Sequence, residues 1–149
     1  MSLFDQVSEA IIAAMKARDK ERLEALRNLK KVMIEARSSK GAGSELTDEE
    51  SLKLVQKLVK QGRESAEIYQ NQNRIDLAEQ EMAQVTVLET FLPKPLTSEE
   101  LTAALTAIIQ QTGASTIKDM GKVIGLASRE LAGKADGKEI AARIKEMLS

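Results

Sequence analysis

The chain has 149 residues and a formal net charge of −1, with 42% hydrophobic and 30% charged residues, which is globular rather than disordered composition. It contains no cysteine and no histidine, so disulfides, thiolate or imidazole metal sites and a Ser-His-Asp triad are all excluded. The near-neutral charge gives no global attraction to nucleic acid, so any polyanion would have to bind a local cluster of cations.

The N-terminal residues Met1 to Asp5 lack a charged region followed by an apolar one, and no stretch approaches the roughly 18 apolar residues of a membrane helix. We therefore expect a cytoplasmic protein that does not engage a membrane. No acidic run resembles a calcium-binding loop, and we expect neither a bound metal nor a cofactor.

Apolar spacing predicts four helices before residue 93. The first covers about Leu3 to Arg18, and the second starts near Asp19 and ends at a flexible loop over 38–44. A capping box of Thr47 and Glu50 opens the third, in which Gly62 favours a bend, and the fourth ends near residue 92. The predicted inward positions are Phe4, Val7, Ile11, Met15; Leu23, Leu26, Leu29, Met33; Leu54, Val55, Leu58, Val59; Ala78, Met82, Val85, Leu88 and Leu92.

Pro93 and Pro95 cannot continue a helix and mark the boundary between two parts. Beyond them, Thr97 and Glu100 cap a fifth helix that stops at Gly113. The sixth is predicted from Ser115 or Thr116 to about Leu131, and Asp136 with Glu139 caps the last. The predicted inward positions are Leu101, Leu105, Ile108; Ile117, Met120, Ile124, Ala127, Leu131; Ile140, Ile144 and Leu148. The sequence thus predicts an all-α protein, with N-terminal helical hairpins over 1–92 and a small C-terminal three-helix bundle over 96–149.

The sixth helix carries the most informative polar pattern. Lys118, Lys122, Gly125 and Arg129 follow one another at helical spacing, so cations surround a glycine at which a phosphate backbone could approach closely. The following loop adds lysines beside the start of the last helix, a position that favours anions. The alternative is an ordinary solvated face in which Gly121 and Gly125 serve helix packing, and spacing alone favours that alternative.

Two other groups of charged residues have ordinary interpretations. Basic residues follow the second helix (Arg27, Lys30, Lys31, Arg37) and the third (Lys53, Lys57, Lys60), and both runs are interpreted as solvated faces. On the third helix, Glu49 with Lys53 and Lys60 with Glu64 are pairs four residues apart that give ordinary helix support. The carboxylates Asp76, Glu79, Glu81 and Glu89, with Tyr69 and Lys60, are the densest candidates for acid–base chemistry, but such spacing is more typical of a soluble helix surface.

The chain resembles the YqeY family over essentially its whole length. The resemblance lies in Phe91 to Leu96, Glu100-Leu101, Gly113-Ala114, Lys118 to Gly125 and Gly133 to Lys138, and, in the first part, in Leu26-Arg27, Lys60-Gln61, Arg63 to Ser65, Arg74, Leu77-Ala78 and Glu81. The C-terminal part of that family is similar to the tail domain of the B subunit of the tRNA-dependent aspartyl/glutamyl amidotransferase, which contacts tRNA while amide transfer occurs elsewhere.

The resemblance implies a tRNA-binding-like module at 96–149 and a link to carbon–nitrogen ligase activity with glutamine as amido-N donor. The kinase-like catalytic cradle has no counterpart here, so we expect no catalytic residues and no independent enzyme. The implied RNA contacts are Lys118, Lys122, Arg129, Lys134 and Lys138; the glycines that shape the surface are Gly121, Gly125, Gly133 and Gly137; and Asp136 is a helix cap.

Two function classes follow from these observations. The first is a binder of tRNA or another structured RNA that reads phosphate and sugar, with affinity that falls steeply as salt rises. The second is a helical protein–protein adaptor of an amidotransferase or a translation-related complex, with an exposed apolar patch and little response to salt.

Overall fold

The computed structural model describes residues 1–149 and contains only helices, which confirms the all-α prediction. A 3₁₀ turn covers Ile117–Asp119. The seven α-helices are α1 (Leu3–Ala17), α2 (Lys20–Lys40), α3 (Asp48–Asn71), α4 (Ile75–Glu89), α5 (Ser98–Thr112), α6 (Met120–Glu130) and α7 (Gly137–Leu148). The chain divides into two compact units, Met1–Leu92 and Pro93–Ser149, here called unit 1 and unit 2. No helix combines the length and the apolar character needed to cross a bilayer.

Unit 1 is built from α1 to α4, which pack as two hairpins. Its main core cluster comprises Leu3, Val7, Leu29, Met33, Val55, Val59, Val85 and Leu88, with Phe91 and Leu92 packed against it. Asp19 starts α2, because its carboxylate accepts a hydrogen bond from the Arg22 backbone N–H at 3.2 Å. This buried apolar cluster stabilises the unit by removing side chains from water.

Two inward positions predicted for unit 1 are wrong. Met15 is 53% exposed and Met82 is 40% exposed, whereas Leu3 and Ala14 are buried on α1. Helical spacing gives the periodicity of an apolar face but not which of two adjacent stripes contacts a neighbouring helix. The α2 helix also extends to Lys40, so Ser38 and Ser39 are helical rather than part of the loop.

Gly62 has a packing role that the sequence did not indicate. The α3 helix continues through this residue, and a Cβ added here would lie 2.5 Å from Val85 Cγ2 of α4. The glycine therefore lets α4 approach the α3 backbone closely.

A polar cluster ties the end of α2 to the start of α3. Thr47 and Glu50 form the predicted capping box, and Lys40 Nζ lies 2.7 Å from Glu50 Oε1. Lys40 also donates to the Glu45 carbonyl at 2.9 Å. The Lys40 ammonium and the Thr47 N–H and hydroxyl groups lower the pKa of the Glu50 carboxyl to about 2.

Unit 2 is a three-helix bundle of α5, α6 and α7 around its own core. The buried residues are Leu101, Leu105, Ile108, Val123, Ala127, Leu131, Ile140, Ile144 and Leu148. Arg143 of α7 links this helix to α5, because its guanidinium donates hydrogen bonds to the Ser98 carbonyl at 2.8 Å and to Thr102 Oγ1 at 2.9 Å. The same guanidinium forms an ion pair with Glu139. The capping box of Thr97 and Glu100 is present as predicted, and Gly113 ends α5 in the left-handed conformation.

The sixth helix differs from its prediction in its start and in one inward position, while Met120, Ile124, Ala127 and Leu131 belong to the core or pack against it as predicted. It begins at Met120, because Ser115 and Thr116 are extended or turn residues and Ile117–Asp119 forms the 3₁₀ turn. Ile117 is 46% exposed, so its assignment to the core was wrong, and Met120 and Ile124 are only half-buried. Val123, which was not predicted to face inward, is fully buried together with Ala127, and Leu131 belongs to the same core cluster.

Candidate nucleic-acid interface

All the residues expected to contact RNA lie in the segment that runs from the 3₁₀ turn to the first turn of α7. Asp119 orders its beginning, because the carboxylate accepts hydrogen bonds from the backbone N–H groups of Ser115 at 3.1 Å and Thr116 at 3.4 Å. These bonds, with a smaller contribution from the Lys122 charge, lower the pKa of the Asp119 carboxyl. The carboxylate therefore stays ionised while it fixes the turn.

Three of the four residues predicted to share one face of the sixth helix lie on that helix. Lys122, Gly125 and Arg129 lie on α6 at spacings of three and four residues and are exposed, so they share one side of the helix. Lys118 is exposed as well, but it lies in the 3₁₀ turn before α6. Helical spacing therefore does not place its side chain on the α6 face, contrary to the prediction.

The glycines on α6 do not serve packing within this chain. A Cβ added at Gly121 or Gly125 would meet nothing within 4 Å, and both residues are exposed. The helix-packing alternative considered for these residues is therefore wrong within this chain. The two glycines, four residues apart on α6, leave helix backbone uncovered beside Lys122 and Arg129, where a ligand could approach closely.

The loop after α6 positions the remaining residues. Gly133 is buried with φ of 79°, a conformation that favours glycine. The Leu96 N–H donates to the Lys134 carbonyl at 3.0 Å, which ties the start of unit 2 to this loop while the Lys134 side chain stays exposed. Gly137, at the first position of α7, is also exposed, with open space around it.

Asp136 caps α7 as predicted, with its carboxylate accepting from the Lys138 N–H at 3.1 Å. The Glu139 carboxylate pairs with Arg143 at 2.9 Å. Because Asp136 places a carboxylate at the N-terminus of α7, this helix end is less suited to a second anion than the bare sequence suggests. The Lys138 side chain is exposed beside the cap.

The five candidate cations have no intramolecular ion pairs. Elsewhere the chain pairs Lys40 with Glu50, Lys53 with Glu49, Arg63 with Glu89, Arg74 with Asp76, and Arg143 with Glu139. The exposed side chains of Lys118, Lys122, Arg129, Lys134 and Lys138 are not among these pairs. Apart from the effect of Lys122 on the nearby Asp119 carboxylate, their charges are available to an external anion.

Two of the carboxylates considered for acid–base chemistry participate in ion pairs. Glu89 Oε1 lies 2.8 Å from Arg63 Nη2, which links α3 to α4. Asp76 lies 3.3 Å from Arg74, whose guanidinium lowers the pKa of the Asp76 carboxyl. A lowered pKa is the opposite of what a general acid at neutral pH requires.

Comparisons with known proteins give one family. A search of curated proteins finds no significant match. A family model described as "Yqey-like protein" matches residues 4–148, which include both units and all of the candidate cations. The chain therefore belongs to the YqeY-like family.

Proposed function

We propose that this chain is a non-catalytic RNA-binding module in which unit 2 holds tRNA or another structured RNA. The observation that carries the proposal is the group of five exposed, unpaired cations at Lys118, Lys122, Arg129, Lys134 and Lys138. Phosphate contacts from lysine and arginine provide affinity that does not depend on base sequence.

The surface suits contact with phosphate and sugar better than stacking on bases. No Phe, Tyr or Trp lies in residues 96–149, so unit 2 has no aromatic side chain to stack on an unpaired base. The exposed backbone around Gly121 and Gly125 suits close approach by a sugar–phosphate chain. These features favour a folded RNA recognised by its shape.

The similarity of unit 2 to the amidotransferase tail domain supports tRNA as the RNA and a tRNA-dependent amidotransferase, or another translation-related protein, as the setting. In this proposal the carbon–nitrogen ligase activity with glutamine as amido-N donor belongs to that partner enzyme. The chain supplies binding, and the chemistry takes place on the partner.

The test is the binding of bulk tRNA to the purified protein, measured by fluorescence anisotropy across a salt series. We expect binding that weakens steeply with salt, and a further loss in a Lys118→Glu/Lys122→Glu variant. The matched control is Lys16→Glu/Lys57→Glu, which reverses two exposed lysines of unit 1. Equal binding by the two double variants would contradict the unit 2 surface, and no binding at low salt would contradict the RNA proposal.

A second candidate function, a helical adaptor, is favoured by apolar side chains at one end of unit 1. Ile12 and Met15 near the end of α1, Ile68 near the end of α3 and Ile75 at the start of α4 are about half exposed. These side chains lie near the turns that join α1 to α2 and α3 to α4, at the tips of the two hairpins. An apolar end of this kind is typical of protein contacts. A complex formed there would persist at high salt, which separates it from RNA binding.

A further inference from the structure

The α2 helix carries a second group of cations on one side of its outer surface. With about 100° of rotation per residue, Arg27, Lys30, Lys31 and Arg37 fall within about 120° of the helix circumference. Exposed Ile34 lies among them. The acidic residues Glu24 and Glu35 border the arc on its Lys31 side, and Glu21 lies further round the helix. The four cations are here called the α2 basic edge.

The cations of the α2 basic edge form no ion pair with neighbouring helices. Arg27 and Lys31 are exposed, and Lys30 and Arg37 are half-buried. By contrast, Lys40 of the same helix is bound by Glu50 and by the Glu45 carbonyl. The α2 basic edge therefore carries four cations, none of which forms an ion pair.

Phe4 of α1 orders two of these cations. The Arg37 Cζ atom lies 4.6 Å and the Lys30 Nζ atom 5.6 Å from the centroid of the Phe4 ring. Cation–π contacts of this kind restrict the two side chains without neutralising their charge. A guanidinium stacked on an aromatic face keeps its N–H edge available for a phosphate oxygen, and less side-chain entropy is lost when that bond forms. The expectation that these cations are ordinary solvated side chains is therefore wrong for Lys30 and Arg37.

Arg37 also lines a polar cavity in the loop between α2 and α3. The cavity has a volume of about 510 Å³, and Ser38 and residues 41–44 line it beside Arg37. It has room for a phosphate group, and its lining residues include two serines beside Arg37. Glu45 also lines this cavity, so an anion is favoured on the Arg37 side.

We infer that the α2 basic edge is a second phosphate-binding surface, with Arg37 as its ordered anchor, for the same structured RNA proposed for unit 2. This inference rests on the proposed function for the identity of the ligand. It adds a contact in unit 1, which the resemblance of unit 2 to a tRNA-contacting domain does not imply.

The experiment uses the full-length protein and fluorescently labelled bulk tRNA, with Lys31→Glu compared with Lys57→Glu. Both changes reverse one exposed lysine within a long helix of unit 1. Each lost phosphate contact lowers the slope of log affinity against log salt by about one unit. The drop in affinity between 50 and 200 mM salt then becomes roughly threefold smaller. We expect Lys31→Glu to bind tRNA more weakly and to lower this slope by about one unit. Arg27→Glu/Lys31→Glu should lower the slope further, and Lys57→Glu should leave it unchanged.

A Phe4→Leu variant tests the ordering of Arg37 separately. It keeps an apolar side chain and every charge, so we expect weaker binding with little change in the salt slope. Circular dichroism melting of each variant identifies losses that come from unfolding.

The outcomes separate this inference from the proposed function. Full binding by the α2 variants with loss in Lys118→Glu/Lys122→Glu would overturn the inference and leave the proposed function intact. Weaker tRNA binding in the α2 variants alone would support the α2 basic edge and contradict the unit 2 surface. No tRNA binding by the unaltered protein at low salt would overturn both.

Discussion

Glycines inside the helices of this protein occupy two different environments. Gly62 is covered by Val85 of α4, whereas Gly121 and Gly125 of α6 face open space. Replacing a helical glycine by alanine is worth about 1 kcal/mol when the new methyl group is free. The same replacement in a packed position forces neighbouring atoms to move, at about 1–3 kcal/mol.

We therefore expect Gly125→Ala to raise the free energy of unfolding and Gly62→Ala to lower it, as measured by urea denaturation. The two variants are matched controls because the chemical change is identical. A destabilised Gly125→Ala would show that α6 is covered by something in the folded chain. If RNA approaches the α6 backbone, Gly125→Ala should also weaken tRNA binding although the protein is more stable.

At the scale of helices, the connection between α2 and α3 depends on the ionised Glu50 carboxylate. Its pKa in the folded protein is about 2, below the ordinary value of 4.5. A group whose pKa is lowered by folding stabilises the protein above its ordinary pKa, and that stabilisation is lost as pH falls through the folded value. The contribution of Glu50 is thus complete above about pH 4.5 and disappears towards pH 2.

We expect Glu50→Gln to unfold at a lower denaturant concentration than the unaltered protein at pH 7, and the difference to shrink as pH falls from 4.5 to 2. Denaturation at a series of pH values measures this difference. Glu9→Gln, an exposed change on α1, is the control and should show no such convergence. A difference that stays constant with pH would mean that the ionisation of Glu50 does not cause the lost stability.

At the scale of the whole molecule, each unit has its own buried cluster. Ile144 is fully buried in the core of unit 2, while the unit 1 cluster draws its residues from α1 to α4. Truncating a buried isoleucine to alanine costs about 2–5 kcal/mol. We expect Ile144→Ala to increase amide hydrogen exchange in α5 to α7 while the protection of α1 to α4 is retained.

The matched change in the other core is Val55→Ala, which should increase exchange in α1 to α4 alone, because Val55 is fully buried in unit 1. Hydrogen exchange read out by mass spectrometry resolves the two units separately. Uniform loss of protection throughout the chain in both variants would mean that the units unfold as one cooperative body.

The sequence predicted the helices well where local chemistry determines them. Capping boxes at Thr47 and Thr97, the aspartates at positions 19 and 136, and Gly113 start or end helices through bonds among neighbouring residues, so their positions could be inferred without tertiary contacts. For the candidate site, the sequence identified the cations and glycines of the α6 region. It gave the α2 basic edge an ordinary interpretation, because the contact with Phe4 joins residues of two helices.

The sequence by itself determined that this is an all-helical chain with a boundary at its two prolines, since propensity, apolar periodicity and proline geometry are local properties. Only the tertiary structure decided which apolar stripe is buried, as with Val123 rather than Ile117, because burial depends on where a neighbouring helix lies. It also decided that Gly62 is covered and Gly125 is open, and that Phe4 orders Arg37. The physical reason is that spacing along a chain fixes which residues share a helix face, whereas contacts between helices fix what that face touches.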